Sequence, residues 1–167
     1  MPKIIENVRE QLLAEAKRQI DERGYKNTTI RSVAGECGVA VGTVYNYFKS
    51  KNMLIASFIL KDWLDCLNSI AAHPKSDRRA LLEFIHSSLN DFVGKHHGLF
   101  SDKEAEKAFN ISVSERHGQL RSQLAEQIKP LADDDFLAEF VAEAMLYWTM
   151  AGRSFEDIYP LLPEKIK

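Results

Sequence analysis

The chain has 167 residues, of which 45% are hydrophobic and 28% are charged, with only 8 Gly and 5 Pro. This composition argues against a disordered or fibrous chain and fits one compact domain, or a small domain beside a larger one. Two cysteines argue against a disulfide framework, and no run of about 18 apolar residues is free of charge, so we predict no membrane span. The first residues lack the apolar stretch of a signal peptide, and we expect a cytoplasmic protein.

Charge is unevenly distributed along the chain, although the net charge is only −2. Residues 1–51 contain nine Lys and Arg against six Asp and Glu, a surplus of +3, whereas residues 52–167 carry −5. A basic segment favours a polyanionic partner. The surplus is small enough to arise by chance, so it supports a nucleic-acid partner only in combination with a motif.

Apolar residues recur three or four positions apart through most of the chain, and no alternating run indicates a strand, so we predict an all-α fold. A first helix is predicted over Lys3–Arg23, with Gly24 as its C-cap. A short second helix begins after Thr29, whose hydroxyl can cap it, and stops at Gly38. A third helix covers Val41–Phe48.

Two longer helices are predicted next. Ser50 caps the fourth helix, which ends at His73-Pro74 because the residue before a proline disfavours helical geometry. A fifth helix follows, with apolar residues at helical spacing, and closes near Gly94 or Gly98.

The last third of the chain is also predicted to be helical. Two helices are expected between Asp102 and Lys129, with a break near Gly118. A further helix runs from the acidic residues 133–135, which suit a helix N-terminus, to residue 148. Ser154 with Asp157 three residues later predicts a capping box and a short final helix.

The stretch from Gly24 to Lys51, GYKNTTIRSVAGECGVAVGTVYNYFKSK, has the residue types that a helix-turn-helix requires. Ala34 is small enough for two helices to approach each other closely. Gly38 can adopt the positive φ of a steep corner, and Val39 can fill that corner. The sequence therefore predicts a three-helix unit at the N-terminal end.

The third helix of this unit is predicted to present one face to a duplex. Val44 and Phe48 lie one turn apart and are expected to point into the core, which turns the opposite face outward. Short, hydroxyl-bearing and cationic side chains contact base edges and phosphates, and Arg31 or the amides after Thr29 can bind a phosphate. The predicted DNA-binding residues are Thr29, Arg31, Gly42, Thr43, Tyr45, Asn46, Tyr47, Lys49 and Lys51.

The same stretch resembles the DNA-binding signature of the tetracycline-repressor (TetR) family over about 50 residues. The matching features are Gly24-Tyr25, Thr28-Thr29-Ile30, Val33-Ala34, Gly38-Val39, Gly42-Thr43, Tyr45, Tyr47-Phe48 and Ser50-Lys51. The resemblance implies a transcriptional regulator with a helix-turn-helix domain over residues 1–49 and a helical effector-binding and dimerisation domain over residues 50–167. It further implies a homodimeric repressor that binds a double-stranded DNA operator and is released by a small apolar or aromatic effector, with no enzymatic activity, cofactor or membrane partner.

Two positions depart from the family pattern. Ala40 stands where Ser is frequent, and Val41 stands where a polar or basic residue is frequent. Both substitutions reduce the number of polar side chains that can recognise bases. The base contact that remains open to Val41 is an apolar one with the methyl group of thymine. They keep open the alternative of a helical small-molecule-binding or interaction protein with a degenerate helix-turn-helix.

Aromatic residues of the C-terminal region have two interpretations, because they can line an effector cavity or pack in the core. The candidate effector residues are Trp63, His86, Phe92, Phe109, Tyr147 and Trp148. A stripe at helical spacing is similarly predicted to serve both the core and a subunit interface. Its members are Phe136, Phe140, Ala144 and Trp148.

The remaining reactive side chains give no catalytic or metal pattern. The five histidines show neither HExxH nor Cys/His spacing, so we predict no metal site and expect most of them at the surface. Cys37 is predicted to be a buried thiol rather than a redox sensor. Tyr25 is predicted to pack beneath the first helix rather than contact a ligand.

Overall fold

The computed structural model describes residues 7–109 and 113–167, and among these it leaves out the side chains of residues 109 and 113–116. The helices are α1 (Val8–Asn27), α2 (Ile30–Glu36), α3 (Val41–Tyr47), α4 (Lys51–Ala72), α5 (Arg78–Lys95), α6 (His97–Phe100), α7 (Lys103–Phe109), α8 (Val113–Ile128), α9 (Asp135–Met150) and α10 (Phe155–Ile158). No strand occurs in the described ranges. The all-α prediction is confirmed.

The end of α1 is shaped by a glycine. The backbone leaves helical geometry at Gly24, where φ is +78°, and then makes one more helical turn up to Asn27. Glycine populates this region without steric cost. The predicted end of the helix at Gly24 is wrong, because α1 resumes after this interruption and its C-cap is Thr28. The predicted start of the helix at Lys3 lies outside the described residues.

Side-chain caps begin several helices where the sequence places them. Ser50 Oγ accepts a hydrogen bond from the Met53 amide at 3.2 Å in the first turn of α4. Ser154 and Asp157 form the predicted capping box at α10. The predicted break near Gly118 is wrong, because Gly118 lies inside α8. One helical glycine costs only about 1 kcal/mol relative to alanine, an amount that helix packing readily offsets.

The chain divides into two compact units. The first comprises Met1–Asp62 and His96–Asn110, and the second comprises Trp63–Lys95 and Ile111–Lys167. In the first unit α1 packs against α2, α6 and α7, and α2 packs against α3. The compact units differ from the two domains that we expected to meet between residues 49 and 50. Those domains were defined by function, and their boundary stays a prediction.

The first unit has one apolar core, to which the α6–α7 segment contributes Leu99 and Ala105. This segment was expected among the effector-domain helices, yet it packs with the helix-turn-helix. The buried core residues are Leu12, Leu13, Ala16, Ile20, Ile30, Val33, Ala34, Val44, Phe48, Leu54, Ile55, Phe58, Leu99 and Ala105.

In the second unit, α9 packs against α5 and α8 and buries Val141 and Met145. The opposite side of α9 faces outward, with Phe136 79% exposed, Phe140 50% exposed and Trp148 also exposed. A core role within the protomer is therefore wrong for these three members of the stripe, because other α9 residues fill the contact with the neighbouring helices. None of the described helices is long and apolar enough to cross a membrane.

Candidate nucleic-acid interface

Reciprocal hydrogen bonds fix the first turn of α2. Thr29 Oγ1 accepts from the Ser32 amide, and Ser32 Oγ accepts from the Thr29 amide, both at 3.0 Å. The predicted cap is confirmed, and Ser32 Oγ also donates to the Oε1 atom of the buried Gln19 at 2.5 Å. Because the Thr29 hydroxyl already satisfies the Ser32 amide, that amide does not point to a ligand in this conformation. Arg31 lies on the same turn and is exposed.

The corner between α2 and α3 has the construction expected from the sequence. Gly38 has φ +66°, a value that side-chain-bearing residues rarely adopt. The Val39 amide then donates to the Ala34 carbonyl at 3.0 Å, and Val39 packs against the core of the first unit. Ala34 is buried at this contact. The corner therefore fixes the direction in which α3 leaves α2.

Two buried side chains hold α3 from behind. Val44 and Phe48 are fully buried in the first unit, as predicted. Val41 is half-buried and packs against the same core. Val41 therefore lies on the Val44 side of the helix, and this position leaves little of its side chain for contact with a base.

The opposite side of α3 is open. Tyr45 and Tyr47 are 47% and 48% exposed, Gly42 and Asn46 are also exposed, and Thr43 is half-buried. An added Cβ at Gly42 would meet no atom within 4 Å, so another molecule can approach the backbone there. We call the five residues Gly42, Thr43, Tyr45, Asn46 and Tyr47 the outward face of α3.

The cations predicted to contact DNA differ in their availability. Arg31 and Lys49 are exposed and form no ion pair with any described residue. Lys51 is half-buried at the start of α4, where its Nζ donates to the Tyr25 carbonyl at 2.8 Å and lies 3.7 Å from the centre of the Tyr25 ring. Burial lowers the pKa of the Lys51 ammonium. Arg31 and Lys49 are therefore open to another molecule, whereas Lys51 is held in an internal contact.

The predicted effector residues do not come together around one cavity. Trp63 and Phe92 are buried and contact each other edge to face, with ring centres 5.3 Å apart, and Trp63 Nε1 donates to the Gln123 side chain at 2.8 Å. Tyr147 and Trp148 form a separate exposed pair on α9. His86 Nε2 lies 2.9 Å from the carbonyl oxygen of Arg153, and the side chain of Phe109 lies outside the described part of the chain.

A cavity of about 320 Å³ lies in the second unit, and Trp148 is its one member from the predicted effector set. Phe140 and Ala144 of the stripe form part of its wall beside Trp148. The described residues that line it are Phe140, Ala144, Trp148, Arg153, Asp157, Ile158, Leu161 and Leu162. The cavity therefore opens on the exposed side of α9.

One histidine and one cysteine have packing roles in this structure. His96 is only 2% exposed and is an exception to the expectation that most histidines lie at the surface, because its ring stacks on Phe58 and its Nε2 lies 3.1 Å from Asp62 Oδ2. Burial raises the pKa of the half-buried Cys37 thiol, which favours a protonated packing residue over a redox sensor. The described residues contain no group of three or more potential metal ligands.

These features are typical of helix-turn-helix proteins. A three-helix unit exposes one face of its third helix and is followed in the chain by further helices. Residues 12–58 match the sequence profile of a family described as bacterial regulatory proteins, tetR family. The matched residues are 47 of the 167 in this chain, so the match shows that this N-terminal segment is similar to that family. The resemblance drawn from the Gly24 to Lys51 stretch is confirmed.

Named relatives match segments of about 60 residues. The transcriptional repressor KstR2 of Mycolicibacterium smegmatis is 39% identical over 59 residues, which are 35% of this chain and 28% of KstR2. The regulator HbdR of an Aromatoleum species is 38% identical over 64 residues, which are 38% of this chain and again 28% of HbdR. The matched segment therefore spans just over a quarter of these relatives.

Other proteins match along nearly the whole chain. An uncharacterised regulator from the dhlA 5′ region of Xanthobacter autotrophicus is 28% identical over 94% of this chain and 82% of its own length. The crystal structure of a Rhodococcus transcriptional regulator has a TM-score of 0.62 at 18% identity, covering 95% of this chain and 89% of its own. A TetR-like regulator, also from Rhodococcus, has a TM-score of 0.54 at 22% identity, covering 98% and 96%. At these identities the structures establish the fold.

Proposed function

We propose that this chain is a sequence-specific DNA-binding transcriptional regulator. The observation that carries the proposal is the outward face of α3, which is open to another molecule while Val44 and Phe48 hold the helix from behind. A helix presented in this way fits the major groove of a duplex. Arg31 and Lys49 are exposed and supply charge for the phosphates.

The residues divide into two roles in this proposal. Gly42, Thr43 and Asn46 approach base edges, because their short side chains let the helix enter the groove. The hydroxyl groups of Tyr45 and Tyr47 reach the sugar-phosphate backbone, together with the exposed cations and Thr29. Lys51 contacts a phosphate only after its ammonium leaves the carbonyl of Tyr25.

We also propose that the chain acts as a homodimer through the exposed side of α9. Helix-turn-helix proteins commonly read two half-sites, which requires two copies of the reading helix. The α9 side exposes several large apolar side chains at helical spacing, and clusters of such side chains often mark interaction sites. Its exposed members are Phe136, Phe140, Tyr147, Trp148 and Met150.

The regulatory part of the proposal is a cytoplasmic repressor, without enzymatic activity, that a small apolar or aromatic effector releases from DNA. KstR2 is named a repressor, and we extend that sign of regulation to this chain. The cavity of about 320 Å³ beside Trp148 falls within the range of small-molecule sites. An effector causes release only if it binds the non-operator conformation more tightly than the operator-bound one.

Selection of bound duplexes from a random library, using the full chain, tests this function. We expect one enriched motif with two related halves, and an affinity for it that falls steeply with salt because phosphate contacts release counterions. Lys49→Ala should weaken binding to all sequences and reduce the salt slope by about 1. Lys75→Ala, at another exposed lysine, is the matched control.

Two results would contradict the proposal. A library that yields no enriched sequence at low salt would favour the helical interaction protein with a degenerate helix-turn-helix, to which Ala40 and the half-buried Val41 point. Equal effects of the two lysine variants would place the DNA contact away from α3.

A further inference from the structure

Asp102, which lies between α6 and α7, accepts a hydrogen bond from the backbone that leads into α2. Asp102 Oδ1 caps α7 by accepting from the amides of Glu104, at 2.8 Å, and Ala105, at 3.1 Å. Asp102 Oδ2 accepts from the amide of Tyr25 at 3.2 Å. One side chain thus joins two parts of the chain that are 77 positions apart in sequence.

Tyr25 is held by further polar contacts. Its hydroxyl donates to Asn52 Oδ1 at 2.6 Å, and its carbonyl accepts from Lys51 Nζ. Asn52 in turn donates through Nδ2 to the Ala108 carbonyl at 3.4 Å. The corner between α1 and α2 is therefore linked to α7 directly through Asp102, which caps α7, and indirectly through Asn52, which bonds to the last turn of α7.

The position of Tyr25 affects where α2 begins. The amide of Thr28 donates to the Tyr25 carbonyl at 3.3 Å, and the next residue, Thr29, caps α2. A displacement of the Tyr25 backbone reaches the α2 cap within four residues. The Gly38 corner then passes the orientation of α2 on to α3.

We propose that Asp102 is a positioning residue for DNA binding: it holds the corner before α2 so that α2 and α3 keep the orientation that fits a duplex. The inference rests on the proposed function. Asp102 acts through the backbone of Tyr25 and makes no contact with DNA. When the corner loosens, the binding-competent fraction falls, and the apparent dissociation constant rises in proportion.

The variant Asp102→Asn separates this role from capping. Asparagine is a good N-cap, so its oxygen can still accept from the α7 amides, while its NH₂ group replaces the oxygen that accepts from Tyr25. We expect affinity for a duplex selected by the wild-type chain to fall about five- to tenfold. The salt slope should stay unchanged, because no phosphate contact is removed.

The matched control is Asp77→Asn. Asp77 caps α5 through the Ala80 amide at 3.0 Å, and its side chain has no hydrogen bond outside α5 among the described residues. Affinities are measured well below the unfolding temperature of each protein. They are calculated from the concentration of active protein, which a stoichiometric titration with DNA gives, so that a loss of folded protein is not mistaken for weaker binding. Hydrogen exchange at the Tyr25 amide supplies a second readout, which should become faster in Asp102→Asn and not in Asp77→Asn.

The outcomes separate the two levels of the proposal. If the wild-type chain binds its selected duplex and Asp102→Asn binds it within twofold of wild type, the positioning role is wrong and the proposed function stands. Unchanged exchange at the Tyr25 amide overturns the role equally. If the wild-type chain selects no duplex, the proposed function fails, and the positioning role fails with it.

Discussion

At the scale of single residues, Asp102 has an environment that favours its ionised form. The amides of Ala105, Glu104 and Tyr25 donate to its oxygens, and Lys51 lies nearby. These contacts, with that of Ala105 the largest, outweigh partial burial and hold the pKa of the Asp102 carboxyl below its ordinary value. The ionised carboxylate of Asp102 thus both caps α7 and holds the corner before α2.

The lowered pKa predicts a pH-dependent contribution to stability. A carboxyl whose pKa is lower in the folded than in the unfolded state stabilises the fold above the unfolded value of about 3.9, and this stabilisation is lost as pH falls through the folded pKa. The free energy of unfolding of wild type should therefore exceed that of Asp102→Asn by a margin that shrinks between pH 6 and pH 3. Urea unfolding of both proteins measures this margin. A margin independent of pH would show that ionised Asp102 makes no stabilising contact.

At the scale of elements, α3 combines a buried side that fixes it with an open side that is free for binding. Gly42 lies in its first turn, and an added Cβ there meets no atom within 4 Å. Stability alone would favour alanine at this position, because glycine costs up to about 1 kcal/mol in a helix. Glycine at position 42 instead allows the backbone of α3 to come close to the base edges in the groove.

Gly42→Ala should therefore stabilise the chain and weaken its binding to DNA. We expect the melting temperature to rise by up to about 4 °C and the affinity for the selected duplex to fall, since the new methyl group lies between the helix and the base edges. Gly35→Ala in α2 is the matched control, because that position is also exposed and open. It should raise the melting temperature without weakening DNA binding. Equal affinities of the two variants would remove Gly42 from the interface.

Local rules explain why these elements could be predicted and other features could not. Thr29, Ser50 and Gly38 act through neighbours within five positions, so their roles could be predicted from the sequence alone. The burial of His96 depends on contacts with Phe58 and Asp62 of α4, and the hydrogen bond between Asp102 and Tyr25 depends on how α6 and α7 pack against α1. Helical spacing encodes neither arrangement. The break expected at Gly118 fails for a related reason, since tertiary packing overrides a weak local preference.

At the scale of the whole molecule, the exposed side of α9 is the feature that the protomer leaves unexplained. Sequence spacing identified the stripe but could not decide between the core and an interface, because both require the same apolar periodicity. The same ambiguity affected the aromatic residues. Trp63 and Phe92 pack in the core, whereas Trp148 lies on the surface beside a cavity.

A charge placed on this stripe should prevent dimerisation. Phe140→Glu introduces a carboxylate at the centre of the proposed interface, where an unpaired charge is strongly unfavourable. Sedimentation should then show the 19.0 kDa monomer at concentrations where wild type is a dimer, and DNA affinity should fall. Leu60→Glu is the matched control, because Leu60 is 51% exposed on α4 and Phe140 is 50% exposed. A monomeric wild type, or dissociation by the Leu60 change, would contradict the proposed interface.

Contact between the outward face of α3 and a duplex can be observed directly by photo-crosslinking. Benzoylphenylalanine is placed at Tyr45, at Tyr47 or, as a control, at Leu60, and each protein is irradiated with the duplex selected by the wild-type chain. Crosslinks to DNA should form from positions 45 and 47 and not from position 60. If both tyrosine positions give no crosslink while the proteins still bind the duplex, α3 does not read DNA and the interface lies elsewhere.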